Sequence, residues 1–321
     1  MEAISDTDEE MPQLPTTDRA SKDYEFMCIW WNGHRSPNAD GLARRIASIM
    51  STQWKSIIRF KDSDGNVLYG EPDEKLKKVT VYDGDDLLSL TRTERTAEVA
   101  EVLAPYVPDT ILCIGLNYKA HAKEAGFALP KHPPVFQKSK NSIAGPFATI
   151  PMPPADWASN IDYENELCFV VSRDAKNISA EDAPDYILGY TVGNDVSSRQ
   201  WQAPDMCSGQ FSYAKNFDAF CPIGPAIVSS GAVGDPQDLK METRRGGNVV
   251  QSSRTSDMIF SVKEILSFLS RGTTVPAGTL VMTGTPPGVA MFASKPPNFL
   301  KSGEIVECEI EKLGCLRNTF A

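Results

Sequence analysis

Histidine is nearly absent: the 321 residues hold three, His34, His121 and His132. Any imidazole chemistry therefore falls to very few positions. Paired cysteines are lacking as well, because the seven cysteines (positions 28, 113, 168, 207, 221, 308 and 315) form no C-x-x-C motif. Most sit in apolar strings such as Ile111-Leu112-Cys113-Ile114, so they read as free thiols of a reducing compartment, not as a disulfide framework or a zinc site. A basic excess is missing too: 32 Lys and Arg stand against 42 Asp and Glu, a net charge of −10. That balance disfavours a sequence-independent nucleic-acid binder, which needs a basic face to displace counterions from phosphate. Long apolar runs do not occur, and the longest stretches fall well short of the roughly 18 to 20 residues that span a bilayer, so no membrane association is expected. The opening Met1-Glu2-Ala3-Ile4-Ser5-Asp6 is acidic where a signal or transit peptide is basic, which points to the cytoplasm. What is present is ordinary for a globular protein with a proper core, 41% hydrophobic and 23% charged residues.

Three segments are expected along the chain. Residues 1–50 are acidic, then mixed, with no sustained period, and are expected to be a disordered extension, with Met50 a plausible internal start. Residues 51–108 read as a small N-terminal β domain. Ser56 to Lys61 and Asn66 to Gly70 flank Asp62-Ser63-Asp64-Gly65, a hairpin signature, and Val79 to Tyr82 adds a strand. Thr96 to Leu103 has the apolar spacing of a short helix, and Pro105 and Pro108 mark the boundary. Residues 109–321 alternate short apolar strands with glycine and proline turns: Ile111 to Gly115, Leu167 to Val171, Ile187 to Val192, Pro225 to Val228, Leu280 to Thr283 and Ile305 to Ile310. Helices are expected at Tyr118 to Ala125 and at Ser261 to Leu269, where Val262, Ile265, Leu266 and Leu269 share one face. The fold class is α+β and strand-rich.

Several constellations are able to carry chemistry. On the first helix His121 and Glu124 are i and i+3 neighbours, so the carboxylate can orient the imidazole and raise its basicity; the same spacing suits an exposed ion pair. In Asp162-Tyr163-Glu164-Asn165-Glu166 the two glutamates point to one side of an extended chain. Two such carboxylates repel unless a cation, a shared proton or water relieves them, and a solvated strand end is the plainer reading. Asp195 ends another strand in Gly193-Asn194-Asp195-Val196-Ser197-Ser198-Arg199, with Arg199 and Gln202 close behind; it also suits a turn or cap. Three carboxylates without histidine or thiolate match a hard cation such as Mg²⁺ better than zinc. Lys138, Lys215 and the turn Thr283-Gly284-Thr285-Pro286 are candidate holders of a small anion. The turn lacks the glycine spacing and Gly-Lys-Ser/Thr end of a phosphate loop.

Taken in order, Gly-Leu-Asn-Tyr-x-x-His-x-x-Glu, Asp-Tyr-Glu-x-Glu-Leu, Tyr-Thr-Val-Gly-Asn-Asp-Val-Ser-x-Arg, Lys-x-Phe-Asp-x-Phe-x-Pro-x-Gly-Pro and Thr-Gly-Thr-Pro-x-Gly-Val resemble the fumarylacetoacetate hydrolase family over roughly residues 110–321. The resemblance implies a rolled, mixed β-sheet with peripheral helices behind a small N-terminal β domain, and a homodimer. It implies Mg²⁺, or Mn²⁺, on Glu164, Glu166 and Asp195, with His121 and Glu124 as an acid/base dyad and Lys215 acting beside them. Lys138, Gln202 and Thr285 would contact the substrate, with Arg199 supporting the site. Asn216, Ala219 and Ala290 depart from the residues common in the family, so no particular substrate carries over. The activity implied is hydrolysis or decarboxylation at a C–C bond of a small diketo or β-keto acid through a metal-stabilised enolate. Keto–enol tautomerisation of the same substrates, or a non-catalytic binding role, are the alternatives.

Overall fold

The structure is a computed structural model and describes residues 54–73 and 75–321. The expectations for residues 1–50, with Cys28, His34 and a start at Met50, lie outside the described residues.

The expected hairpin is present: β1 (Ser56–Lys61) pairs antiparallel with β2 (Val67–Pro72). The Asp62 carboxylate holds the turn by accepting the N–H groups of Asp64 at 3.0 Å and Asn66 at 2.9 Å. β3 (Lys78–Asp83) and β4 (Thr91–Glu98) continue the sheet. The helix expected over Thr96 to Leu103 is not formed, because β4 pairs with β3 through Glu98 and Glu101–Val102 lies along β1. Its apolar spacing was short, and threonines at 91, 93 and 96 favour the extended chain once a ladder partner is available.

The remaining strands of the main sheet are β5 (Ile111–Ile114), β6 (Val135–Lys138), β7 (Asn165–Val171), β8 (Ile187–Asn194) and β9 (Cys221–Ser229). After β10 (Lys240–Arg245) and β11 (Asn248–Arg254) comes β12 (Leu280–Met282), followed by β13 (Ile305–Ile310) and β14 (Gly314–Phe320). The main sheet runs β4-β3-β2-β1-β9-β8-β7-β12-β5-β6, joined where Ser56 and Ile57 of β1 oppose Val228 and Ile227 of β9. Its neighbours are antiparallel except β12 and β5, so the sheet is mixed. A second sheet runs β11-β10-β13-β14 and ends on Thr149–Ile150.

β7 shows why the sequence there is one apolar run. Leu167, Phe169 and Val171 join a core with Met241, Val306, Ile310 and Phe320 of the second sheet, whereas Cys168 and Val170 join another with Tyr69, Tyr82 and Tyr106. Both faces of the strand are covered, so no polar alternation is possible. Two helices close the frame. α1 (Lys119–Ala125) follows β5, and α2 (Val262–Leu269) buries Val262, Ile265, Leu266 and Leu269 as its spacing predicts. A capping box starts α2: the Ser261 N–H donates to Glu264 Oε2 at 2.8 Å. Cys113, Cys168, Cys207, Cys221, Cys308 and Cys315 are free thiols. Among the described residues no helix is long and apolar enough to cross a membrane.

Candidate active site

Two strand ends bring the acids together. The β7–β8 ladder opposes Asn165 to Asn194 and Glu166 to Gly193, so the chain entering β7 and the chain leaving β8 run side by side. The Asp195 N–H donates to the Glu164 carbonyl at 2.9 Å, and the Glu164 N–H donates to Asn194 Oδ1 at 2.9 Å. This clamp gathers carboxylate oxygens of Glu164, Glu166 and Asp195 within 4.8 Å of one another, all three residues buried. A divalent cation with oxygen ligands at about 2.1 Å needs them roughly 3 to 4 Å apart, and an all-carboxylate set suits a hard ion. The residues therefore fit Mg²⁺ or Mn²⁺.

Cationic side chains surround these acids. Lys215 Nζ donates to Glu164 Oε2 at 2.9 Å and to Asp195 Oδ2 at 2.6 Å. Lys138 Nζ donates to Asp195 Oδ1 at 2.6 Å and to the carbonyls of Lys215 at 2.5 Å and Val196 at 3.3 Å, with its side chain fully enclosed. Arg199 pairs with Glu164 Oε1 through Nη2 at 2.6 Å and donates through Nη1 to Gln202 Oε1 at 2.6 Å. Burial alone would raise the Glu164 carboxyl, but Lys215 and Arg199 outweigh it and hold the group down at about 2. Glu166 goes the other way, pushed well above the usual carboxylate range by burial and then by Asp195 and Glu164.

α1 brings the second pair. His121 Nδ1 lies 2.9 Å from Glu124 Oε2, and His121 is 9% exposed. His132 is exposed and stacks on Phe268, with the ring centroids 5.8 Å apart. The turn after β12 reaches both the dyad and the acids: the Gly284 N–H donates to Glu166 Oε2 at 2.7 Å, and the Gly288 N–H donates to the Glu124 carboxylate at 3.0 and 3.2 Å. Glycine is required at both contacts. Gly284 has φ +91°, and a Cβ there would sit 2.8 Å from Asn117 Cβ; Gly288 has φ +101°, and a Cβ would overlap the Val250 carbonyl oxygen. Thr285 Oγ1 donates to the Asn165 carbonyl at 3.1 Å and accepts Gln251 Nε2 at 3.0 Å, so its hydroxyl is occupied within the protein.

Residues 110–321 match the family described as fumarylacetoacetate (FAA) hydrolase, C-terminal. The chain belongs to the fumarylacetoacetate hydrolase family. Its similarity to the mitochondrial oxaloacetate tautomerase Fahd2a of Rattus norvegicus is 41% identity over 244 residues, 73% of this chain and 76% of the relative. Two solved structures align over 83% of this chain and 98% of their own, each at 34% identity. They are 2-hydroxyhepta-2,4-diene-1,7-dioate isomerase from Mycobacterium marinum, with TM-score 0.71, and the fumarylacetoacetate hydrolase of psychrophilic Exiguobacterium antarcticum, with TM-score 0.70.

In this family member the structure gathers Glu164, Glu166, Asp195, Lys215, Lys138, Arg199 and Gln202 into one cluster of buried carboxylates, ion pairs and hydrogen bonds. His121, Glu124 and Thr285 adjoin it through the Gly284–Gly288 turn. Lys138 lies behind Asp195, enclosed by protein. Sequence reasoning missed Asn194, Gln251 and Asp162. Gln251, 1% exposed, links Asn165, Thr243, Thr285 and Pro286. Asn216, noted only as a departure, fastens the Lys215 turn to β6 by donating to the Gln137 carbonyl at 3.0 Å. The available signal was no more than a polar residue inside a quoted motif, as Asn194 is beside Asp195, which does not say what it binds.

Proposed function

We propose that this protein is a divalent-metal-dependent keto–enol tautomerase of short 2-oxo dicarboxylates of the oxaloacetate type. The observation that carries this reading is an orienting dyad, His121 with Glu124, held on the same turn as a buried three-carboxylate cluster. The relative named oxaloacetate tautomerase and the solved isomerase support the substrate class. Glu164, Glu166 and Asp195 would hold Mg²⁺ or Mn²⁺, which when bound supplies Lewis-acid polarisation of the 2-oxo group and charge for the enolate. His121 takes the proton from the carbon between the two carbonyls, and the proton returns on the enol oxygen; the reverse order gives the ketone. Glu124 fixes the ring orientation and stabilises the imidazolium. Lys215 faces the developing oxyanion. Gln202, whose carbonyl oxygen is taken by Arg199, has its amide NH₂ to offer to the substrate, and the Thr285 turn meets a substrate carboxylate.

A second reading keeps the same enolate but breaks a C–C bond, and the similarity to a solved fumarylacetoacetate hydrolase favours it. There His121 takes a proton from water, the resulting hydroxide adds to the distal carbonyl, and the released enolate carbon is protonated. Decarboxylation needs no water. The proposal further takes residues 51–108 and 109–321 as two domains of a homodimer. The compartment is a reducing one: the cytoplasm is the expectation from the sequence, the rat relative is mitochondrial by name, and fractionation decides between them.

The test is decay of the enol absorbance of oxaloacetate with the Mg²⁺-loaded protein, followed by mass spectrometry. Faster decay with a product of unchanged mass supports the tautomerase, and a smaller acid or CO₂ supports cleavage. Full activity after chelation, or in Glu164→Ala, refutes both.

A further inference from the structure

We infer that Asp162 is a positioning residue that ties the acid Glu164 and the base His121 to one buried carboxylate, a step that rests on reading the acid cluster as a cation site. Asp162 is fully buried. Its Oδ1 accepts the N–H groups of Tyr163 and Ala290, each at 2.8 Å, while its Oδ2 accepts Arg199 Nε at 2.8 Å and the Met291 N–H at 3.1 Å. Four donors offset the hydration this carboxylate loses and fix its orientation. With both oxygens so occupied, Asp162 acts through its neighbours and not on a substrate.

Two arms leave it. The first is the Arg199 guanidinium, which Asp162 holds at Nε, so that Nη2 meets Glu164 Oε1 at 2.6 Å and Nη1 meets Gln202 Oε1 at 2.6 Å. A planar guanidinium fixed at one edge has little freedom at the others, so Asp162 sets where the Glu164 carboxylate points. The second arm is the helical turn Ala290–Ala293, whose first two N–H groups bind Asp162. One residue further on, the Phe292 ring lies 5.8 Å from the His121 ring, tilted by 60°. Asp162 thereby sets the wall against which the imidazole rests. Proton transfer needs the held carbon and the base in register, and a misplacement of about 1 Å costs on the order of 10²-fold in rate. One carboxylate anchoring both sides keeps that register.

The test reads the two arms separately, with the Mn²⁺ dissociation constant by calorimetry and the Cε1–H resonance of His121 by NMR. Only three histidines need assignment. In Asp162→Asn, Mn²⁺ binding weakens about 10- to 100-fold, as for other residues that orient a ligand, and the His121 resonance moves as the Phe292 ring shifts. Arg199→Lys weakens Mn²⁺ binding and leaves the resonance in place; Phe292→Leu moves the resonance and leaves Mn²⁺ binding intact. Asp162→Glu keeps the charge but lengthens the reach, gives both changes to a smaller degree, and is read where the amide variant does not fold. An Asp162 variant whose melting temperature falls while both readouts stay at wild type overturns the proposal. A wild-type protein that takes up no Mn²⁺ overturns the cation reading instead, and an unmoved resonance in Asp162→Asn then overturns the Asp162 role by itself.

Discussion

Replacing Lys138 by methionine separates two roles for this lysine, holding the substrate or holding Asp195. The ammonium is enclosed and donates to Asp195 Oδ1, the Val196 carbonyl and the Lys215 carbonyl at 2.6, 3.3 and 2.5 Å. Methionine keeps most of the stem volume but leaves those three acceptors without their donor, and Asp195 is left with Lys215 on Oδ2 alone. Removing one partner of a buried ion pair costs about 3 to 5 kcal/mol, because the other charge stays desolvated. At roughly 1.5 °C per kcal/mol for a chain of this size, the metal-free variant melts about 4 to 8 °C below wild type. Mg²⁺ at a hundred times its dissociation constant raises the stability of either protein by about 2.7 kcal/mol, so the deficit persists in the loaded state unless Lys138 also controls affinity. The assay is thermal unfolding with and without Mg²⁺, alongside KM for the enol. An unchanged melting temperature with a raised KM refutes the reasoning and makes Lys138 a substrate contact.

Three further outcomes are expected. Glu166, raised by burial and by its acidic neighbours, keeps its proton in the empty protein to higher pH than a free carboxyl does. A cation must displace that proton, so Mg²⁺ affinity rises with pH and binding releases a proton; equal binding heats in two buffers of different ionisation enthalpy refute this. Glu124→Gln lowers kcat by about 10²- to 10⁴-fold, the range for a positioned acid/base pair, and leaves Mn²⁺ affinity unchanged; a parallel loss of affinity places Glu124 among the metal ligands instead. Gly284→Ala forces a Cβ against Asn117 at φ +91° and destabilises by roughly 1 to 3 kcal/mol, measured by urea unfolding; a neutral effect means that the turn relaxes freely.

Much of the architecture is legible in the sequence because its signals are local. A strand buried on both faces reads as an unbroken apolar run, as β7 does from Leu167 to Val171. The i and i+3 spacing of His121 and Glu124 needs only a helix to make them meet, and the i and i+2 spacing of Glu164 and Glu166 needs only an extended chain. What the sequence leaves out is non-local. Thr96 to Leu103 carried a weak helical spacing, and its partner strand β3 decided the matter. For Lys138 the sequence offers a substrate contact, and nothing in its neighbourhood announces the pairing with Asp195, far along the chain. Asp162 is quoted in the motif yet silent as to role, since its donors come from Arg199 and from the Ala290–Ala293 turn. Thr285 stands in a recognisable turn, but only the fold reveals that Gln251 and Asn165 take its hydroxyl.

The β7–β8 ladder also bears on how the chain assembles. Glu164, Glu166 and Asp195 belong to one antiparallel pair of strands, with Arg199 and Lys215 next in the chain, so the acid cluster forms from contacts of modest sequence separation. The helix that carries His121 and Glu124 docks beside it through Asn117, which reaches the Thr283 carbonyl, a contact at 2.7 Å between residues 166 positions apart. Contacts of low separation form early and distant ones late. In the proposed reading a divalent ion then has a place to bind before the dyad docks against it. An ion that binds at that stage is expected to accelerate refolding more than it slows unfolding, so in that reading the cation is in place before the acid/base helix settles against it.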